Sequence, residues 1–179
     1  MSLQQRVWAT VSGASPESLC TESEPPRLDA KTSVIWRGSI NGAIAWAMHR
    51  DTAIIGSPDA DVHGLNSGSA YIFSRTGTIW SQQAKVVSSN GAAGDGFGWA
   101  VDVDFDTALV GSPMDDTIRP NAGAVYAFER KGLVWNGSGS LTPAGLAADD
   151  RFGTSVGLDG NSAIVGALLD DSAAVNAGA

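Results

Sequence analysis

Carboxylates raise the first chemical question. Asp61, Asp116 and Asp171 follow one another at a constant step of 55 residues, and Asp115 and Asp170 accompany the last two. A row of carboxylates on one rim offers the hard oxygen ligands that Ca²⁺ takes. The same residues in loops also bond to nearby backbone N–H groups and hold turns. A second set, Asp102, Asp104 and Asp106 in "VDVDFDT", has D-x-D-x-D spacing. A calcium loop of that kind also needs a glycine and a final acidic ligand, and both are missing here. The set therefore reads as the polar face of a strand running into a turn. No cofactor is expected; Ca²⁺ on the rim carboxylates is the alternative reading.

Other residue types offer less. Trp46 and Trp99 read as matching positions directly after the dipeptides Ile44–Ala45 and Phe97–Gly98, with Thr154 in the next copy. Exposed indole rings at a rim stack on sugars, whereas indoles between layers pack. His49 and His63 stand in separate segments without a metalloprotease pattern, and no nucleophile elbow or phosphate loop occurs. Asp149 and Asp150 are adjacent, which does not set the separation that glycoside hydrolysis requires. No catalytic residue is assigned, and the chain is expected not to be an enzyme. Asn136–Ser138 spells an N-glycosylation acceptor, relevant only on a eukaryotic secretory route.

Composition narrows the partners. The 179 residues are 43% hydrophobic and 17% charged, a globular balance with room for a core. Eleven Lys and Arg against 19 Asp and Glu give a net charge of −8, so a nucleic-acid partner is not expected. No stretch approaches the roughly 20 apolar residues of a membrane span, and the N-terminal segment lacks a signal-peptide core. Cys20 is the single cysteine, which rules out an internal disulfide and a cysteine metal cluster.

The elements that must position these side chains repeat. "TAIIGSP" begins at Thr52, "TALVGSP" at Thr107 and "SAIVGAL" at Ser162, each 55 residues after the last. "GSAYIF" at Gly68 and "GAVYAF" at Gly123 keep the step, as do Trp80 and Trp135, and Phe97 and Phe152. Within the second copy, "FGWAVDV" alternates as a half-buried strand. "TALVGS" is an apolar strand buried on both faces, "AVYAFER" alternates again, and "LVWNGSGSL" makes a weaker fourth strand. Tight turns join the strands, and no helical periodicity appears. A four-stranded antiparallel unit of this length is the pattern of a propeller blade. The expected organisation is an irregular N-terminal arm over 1–29, a first blade over 30–90, a second over 91–145 and part of a third over 146–179.

"GDGFGWAVDVDFDTALVGSP" and "DDRFGTSVGLDGNSAIVGAL" resemble FG-GAP repeats, the blades of integrin-α-type β-propellers and of many bacterial and algal surface proteins. The resemblance covers roughly residues 30 to 179. It implies an all-β, partial β-propeller fold. Its motif residues here are Phe97, Gly98, Gly111, Ser112 and Pro113, then Phe152, Gly153 and Gly166. In the first copy the F-G position reads Ile44–Ala45, and in the third Leu168 replaces the proline. Integrin-like blades carry a longer calcium loop where this chain has a short hairpin.

The phenylalanines are expected to wedge between blades, with the glycines beside them permitting close backbone approach. The function expected is a non-catalytic binding or scaffold module of a larger surface or secreted, adhesion-like protein. Its partner would be a protein or a glycan, held by rim loops carrying Asp61, Asp115, Asp116, Asp170, Asp171, Trp46 and Trp99. The alternatives are an accessory propeller of an enzyme and a self-assembling, lectin-like glycan binder. Residues 176–179 repeat the "NAGA" of 121–124, where a third strand follows in the second copy. The chain is therefore expected to be a fragment of a longer propeller, or to self-associate through open blade edges.

Overall fold

The computed structural model of the chain describes residues 28–29 and 44–170. Eleven strands and no helices occur among them. The strand β1 is Leu28–Asp29; β2 to β5 are Ala45–His49, Thr52–Ser57, Ser69–Thr76 and Ile79–Val86. The next blade has β6 Ala100–Asp104, β7 Thr107–Ser112, β8 Ala124–Lys131 and β9 Val134–Leu141. A final pair follows, β10 Phe152–Asp159 and β11 Ser162–Ala167. The sheets run in the orders β1-β5-β4-β3-β2, β6-β7-β8-β9 and β10-β11, with every named pair antiparallel. This is a partial β-propeller of four-stranded meanders.

Local sequence explains the hairpins. Arg50 and Phe105 take positive φ at the two-residue turns after β2 and β6, and Gly77, Gly132 and Gly160 do so in the later turns. The repeat extends to irregularities: β4 and β8 each carry a register shift between the same two positions, Ile72/Phe73 and Ala127/Phe128.

The core lies between blades. Ile54, Ala70, Ile72 and Val86 of the first blade pack with Val101, Val103, Ala108, Val110, Tyr126, Phe128 and Trp135 of the second. Phe97 is wholly buried among them, 5.5 Å from the Tyr126 ring and 6.0 Å from Phe128. It is the expected wedge. The Phe97 backbone also donates to Ser67 O and forms a parallel bridge with Gly68, so each Phe-Gly pair latches onto the preceding blade. Phe152 repeats the latch on Ala122 and Gly123. Its ring, however, is only half-buried. Counterparts of Tyr126 and Phe128 do not occur among the described residues of the third repeat.

Three expectations change. Ala45 pairs with Gly56 as Ala100 pairs with Gly111, and Ile44 N donates to Gly56 O as Trp99 N donates to Gly111 O. Ile44 is therefore the counterpart of Trp99, not of Phe97. The Phe-Gly position of the first copy falls at residues 42–43, outside the described residues. By the same register Trp46 matches Val101, so Trp46 and Trp99 are not equivalent positions. An offset of two residues separates these assignments, and in a strand two residues keep the same face, so alternation alone could not detect it. Finally, Leu28–Asp29, assigned to the irregular arm, pair with Trp80 and Ile79 as a fifth strand. Cys20 and the rest of that arm lie outside the described residues.

Candidate functional site

The loops between the second and third strands and those leading into each Phe-Gly pair gather on one rim. Asp61 accepts a hydrogen bond from Asn66 N at 2.8 Å, and Asp116 accepts one from Asn121 N at 2.7 Å. These two aspartates cap equivalent loops, and their recurrence reflects that duty. Asp171 lies outside the described residues. Asp170 is part of the third repeat's corresponding loop.

Asp115 is different. It is 1% exposed, accepts from Thr117 N at 2.8 Å, and receives the Tyr126 hydroxyl at 2.5 Å. Asn90 lies 2.6 Å from the same phenol and reaches Thr117 Oγ1 with its amide nitrogen. The Tyr126 hydroxyl thus lies between two side-chain acceptor oxygens, Asp115 Oδ2 and Asn90 Oδ1, and its single proton is shared between them. Asn90 belongs to the segment leading from the first blade, and Tyr126 and Asp115 to the second. The network therefore fixes one blade against the next.

Asp95 and Asp150 occupy equivalent places before each Phe-Gly pair. Each is nearly fully buried and accepts from a backbone N–H three residues earlier, Ala92 or Ala147. Burial pushes the Asp95 carboxyl above the ordinary 3.8; the Ala92 N–H pulls it down, and Asp115 and Asp116 add to the rise. Asp95 and Asp150, 55 residues apart, are thus close structural equivalents.

Burial first, and the bond to Asp115 next, push the Tyr126 phenol up to about 12. A pKa raised on folding adds stability that is complete below the unfolded value of 10.0 and is lost as pH rises to about 12. The chain has two tyrosines, so Tyr71→Phe isolates the signal. Ultraviolet titration of that variant is expected to show Tyr126 ionising near 12 in the folded protein. Ionisation at 10 in a protein still folded by circular dichroism would contradict the buried network.

The D-x-D-x-D set does not form a loop. Asp102 accepts from Leu158 N at 2.7 Å and Asp104 from Gly160 N at 2.7 Å, both on β10 or its turn. Asp104 also meets His49 Nδ1 at 2.6 Å. His49, Asp104 and Gly160 thus join the first strands of three successive repeats. Asp106 pairs with Arg130 at 2.6 Å, as Asp51 pairs with Arg75 at 2.7 Å one repeat earlier. Each arginine lies over the next tryptophan, Trp80 or Trp135. Arg130 further reaches Thr52, and Trp135 donates to Gln83, so both bind the neighbouring blade. The recurrence of this Asp-Arg-Trp set at the 55-residue step was the signal available in the sequence for it. Among the described residues no set of three His, Cys, Asp or Glu side chains could hold a metal ion.

Trp99, Pro113, Met114, Arg151, Thr154 and Leu168 line a shallow, mainly apolar depression between the second and third repeats. Trp99 is 39% exposed and Leu168 57%. Arg151 holds a left-handed backbone, φ 57°, where the previous repeat has Gly96 at φ 66°. A side chain accepting that conformation carries strain that the loop must hold.

Meanders packed face to face, latched by a Phe-Gly pair and bridged by buried aspartates, define a protein built from propeller blades. The chain belongs to the FG-GAP repeat family, which matches residues 80–128 and 135–179, together more than half of the sequence. No curated protein matches it. No helix among the described residues is long and apolar enough to cross a membrane.

Proposed function

We propose that the chain is a non-catalytic binding module of an extracellular or surface protein, acting through its rim loops on a protein or glycan. The observation that carries this reading is the depression around Trp99. Most acidic residues that could have done chemistry are engaged in holding the frame: Asp61 and Asp116 cap loops, and Asp102, Asp104 and Asp115 bond across or within blades. The Trp99 depression is instead apolar and partly exposed. An aromatic platform beside a cation suits a sugar face or an apolar peptide side chain with a nearby acidic group. Adhesion is the role that fits such a module.

The test is a glycan array and an array of extracellular proteins, each probed with wild type and Trp99→Ala. Retention of a ligand by wild type, weakened at least about tenfold in Trp99→Ala, is expected for a central aromatic contact. Ligands bound equally by both proteins would move the site elsewhere. Turnover of an arrayed glycan would replace the binding reading with an enzymatic one.

A further inference from the structure

We propose that the depression beside Trp99 takes a peptide segment of a protein partner, one apolar side chain next to a single carboxylate, and not a glycan. This inference rests on the rim-site reading above and names the partner of that site. The depression lies between two repeats and draws its walls from both. Trp99, Pro113 and Met114 come from the second, and Arg151, Thr154 and Leu168 from the third.

Backbone bonds hold these walls in place. Trp99 N donates to Gly96 O at 3.1 Å and to Gly111 O at 3.2 Å, so the indole projects from a fixed point just before β6. Arg151 N donates to Asn121 O at 3.1 Å, and Thr154 N to Arg151 O at 3.2 Å. A platform ordered before its ligand arrives loses little entropy on binding.

The chemistry of the walls selects the occupant. A sugar stacked on an indole still needs polar groups placed to meet its hydroxyls. Here Pro113, Met114 and Leu168 are apolar, and the Thr154 hydroxyl already donates to Arg151 O at 2.6 Å. Such walls suit an apolar side chain, and the flexible thioether of Met114 adapts to its shape. Arg151 is the one charged residue of the lining, and it is exposed. An arginine stem covers apolar surface while its guanidinium stays in water, which places the cation at the mouth. A carboxylate beside the partner's apolar residue meets it there. The net charge of −8 opposes a run of acids, so a single carboxylate is the match. Burial against Trp99 supplies most of the affinity, and the exposed ion pair supplies the preference.

The probe is a phage library of random dodecapeptides panned on the 179-residue chain, with a glycan array run alongside. Enrichment of Leu, Met or Phe next to Asp or Glu is expected. A synthetic peptide of that pattern is expected to bind Trp99→Ala at least about tenfold more weakly. Leu168→Ser, at an exposed wall residue, gives the same comparison if Trp99→Ala fails to fold. Arg151→Glu is expected to reverse the charge preference: the Lys form of the peptide then binds better than the acidic form, by up to about fivefold for an exposed pair. Arg151→Gly keeps the left-handed backbone that Gly96 shows one repeat earlier. It is expected to retain the apolar contact and lose the charge preference. Peptides that bind Trp99→Ala and Leu168→Ser as well as wild type, or a charge preference unchanged in Arg151→Glu, overturn the proposal. A Trp99-dependent glycan with no enriched peptide overturns it while leaving the rim site standing. Neither peptide nor glycan bound overturns both.

Discussion

Phe97→Ala is expected to cost about 3–5 kcal/mol of folding stability, the usual loss for a wholly buried phenylalanine. The ring is 0% exposed and touches the rings of Tyr126 and Phe128, so its removal leaves a cavity between two blades that backbone latches hold apart. The latch itself, Phe97 N to Ser67 O, uses the backbone and survives the substitution. Collapse into the space is therefore resisted, and the cost falls toward the upper end. Phe152→Ala keeps the same backbone bond but removes a half-buried ring and is expected to cost clearly less. Urea unfolding of the two variants makes the comparison. Equal losses would mean that the rings facing Phe97 add nothing to its packing.

Gly111→Ala is the second large effect. A Cβ at Gly111 would stand 2.1 Å from the carbonyl oxygen of Gly153, and one at Gly56 2.0 Å from that of Gly98. The obstacle is backbone, held in place by the Phe-Gly latch, and cannot swing away as a side chain would. The blades must separate, at a cost of about 1–3 kcal/mol or more. Gly137→Ala on β9 is the control. Its Cβ would meet only a Phe128 ring carbon at 3.9 Å, in ordinary contact. Relief of glycine's backbone entropy is expected to leave that variant neutral or stabilised by up to about 1 kcal/mol. Thermal unfolding in which Gly111→Ala matched Gly137→Ala would show that the blades do not pack as closely as described.

The sequence determined the repeat, the strands and the blade. Spacing did this: Thr52, Thr107 and Ser162 start matching strands because each unit must present the same apolar pattern to the unit beside it. The hairpin after β6 was legible too, since it leaves no room for a ligand loop. The sequence also marked Phe97 as a wedge. Pattern could not set the register of a degenerate copy. Residues two apart along a strand share a face, so alternation leaves the place of Ile44 in the repeat open, and only the pairing of Ala45 with Gly56 sets it.

Tertiary structure alone decided which acidic residues were architectural. Asp102 and Asp104 alternate with valines as a solvent-facing strand would, yet their carboxylates accept backbone N–H groups of the next repeat. Asp115 and Asp116 are neighbours in sequence, but one is buried against Tyr126 and the other caps an exposed loop. The physical reason is that a hydrogen bond across an interface depends on the distance between two blades. That distance is fixed by Gly56 on Gly98 and Gly111 on Gly153, contacts between segments about 42 residues apart that no local pattern encodes.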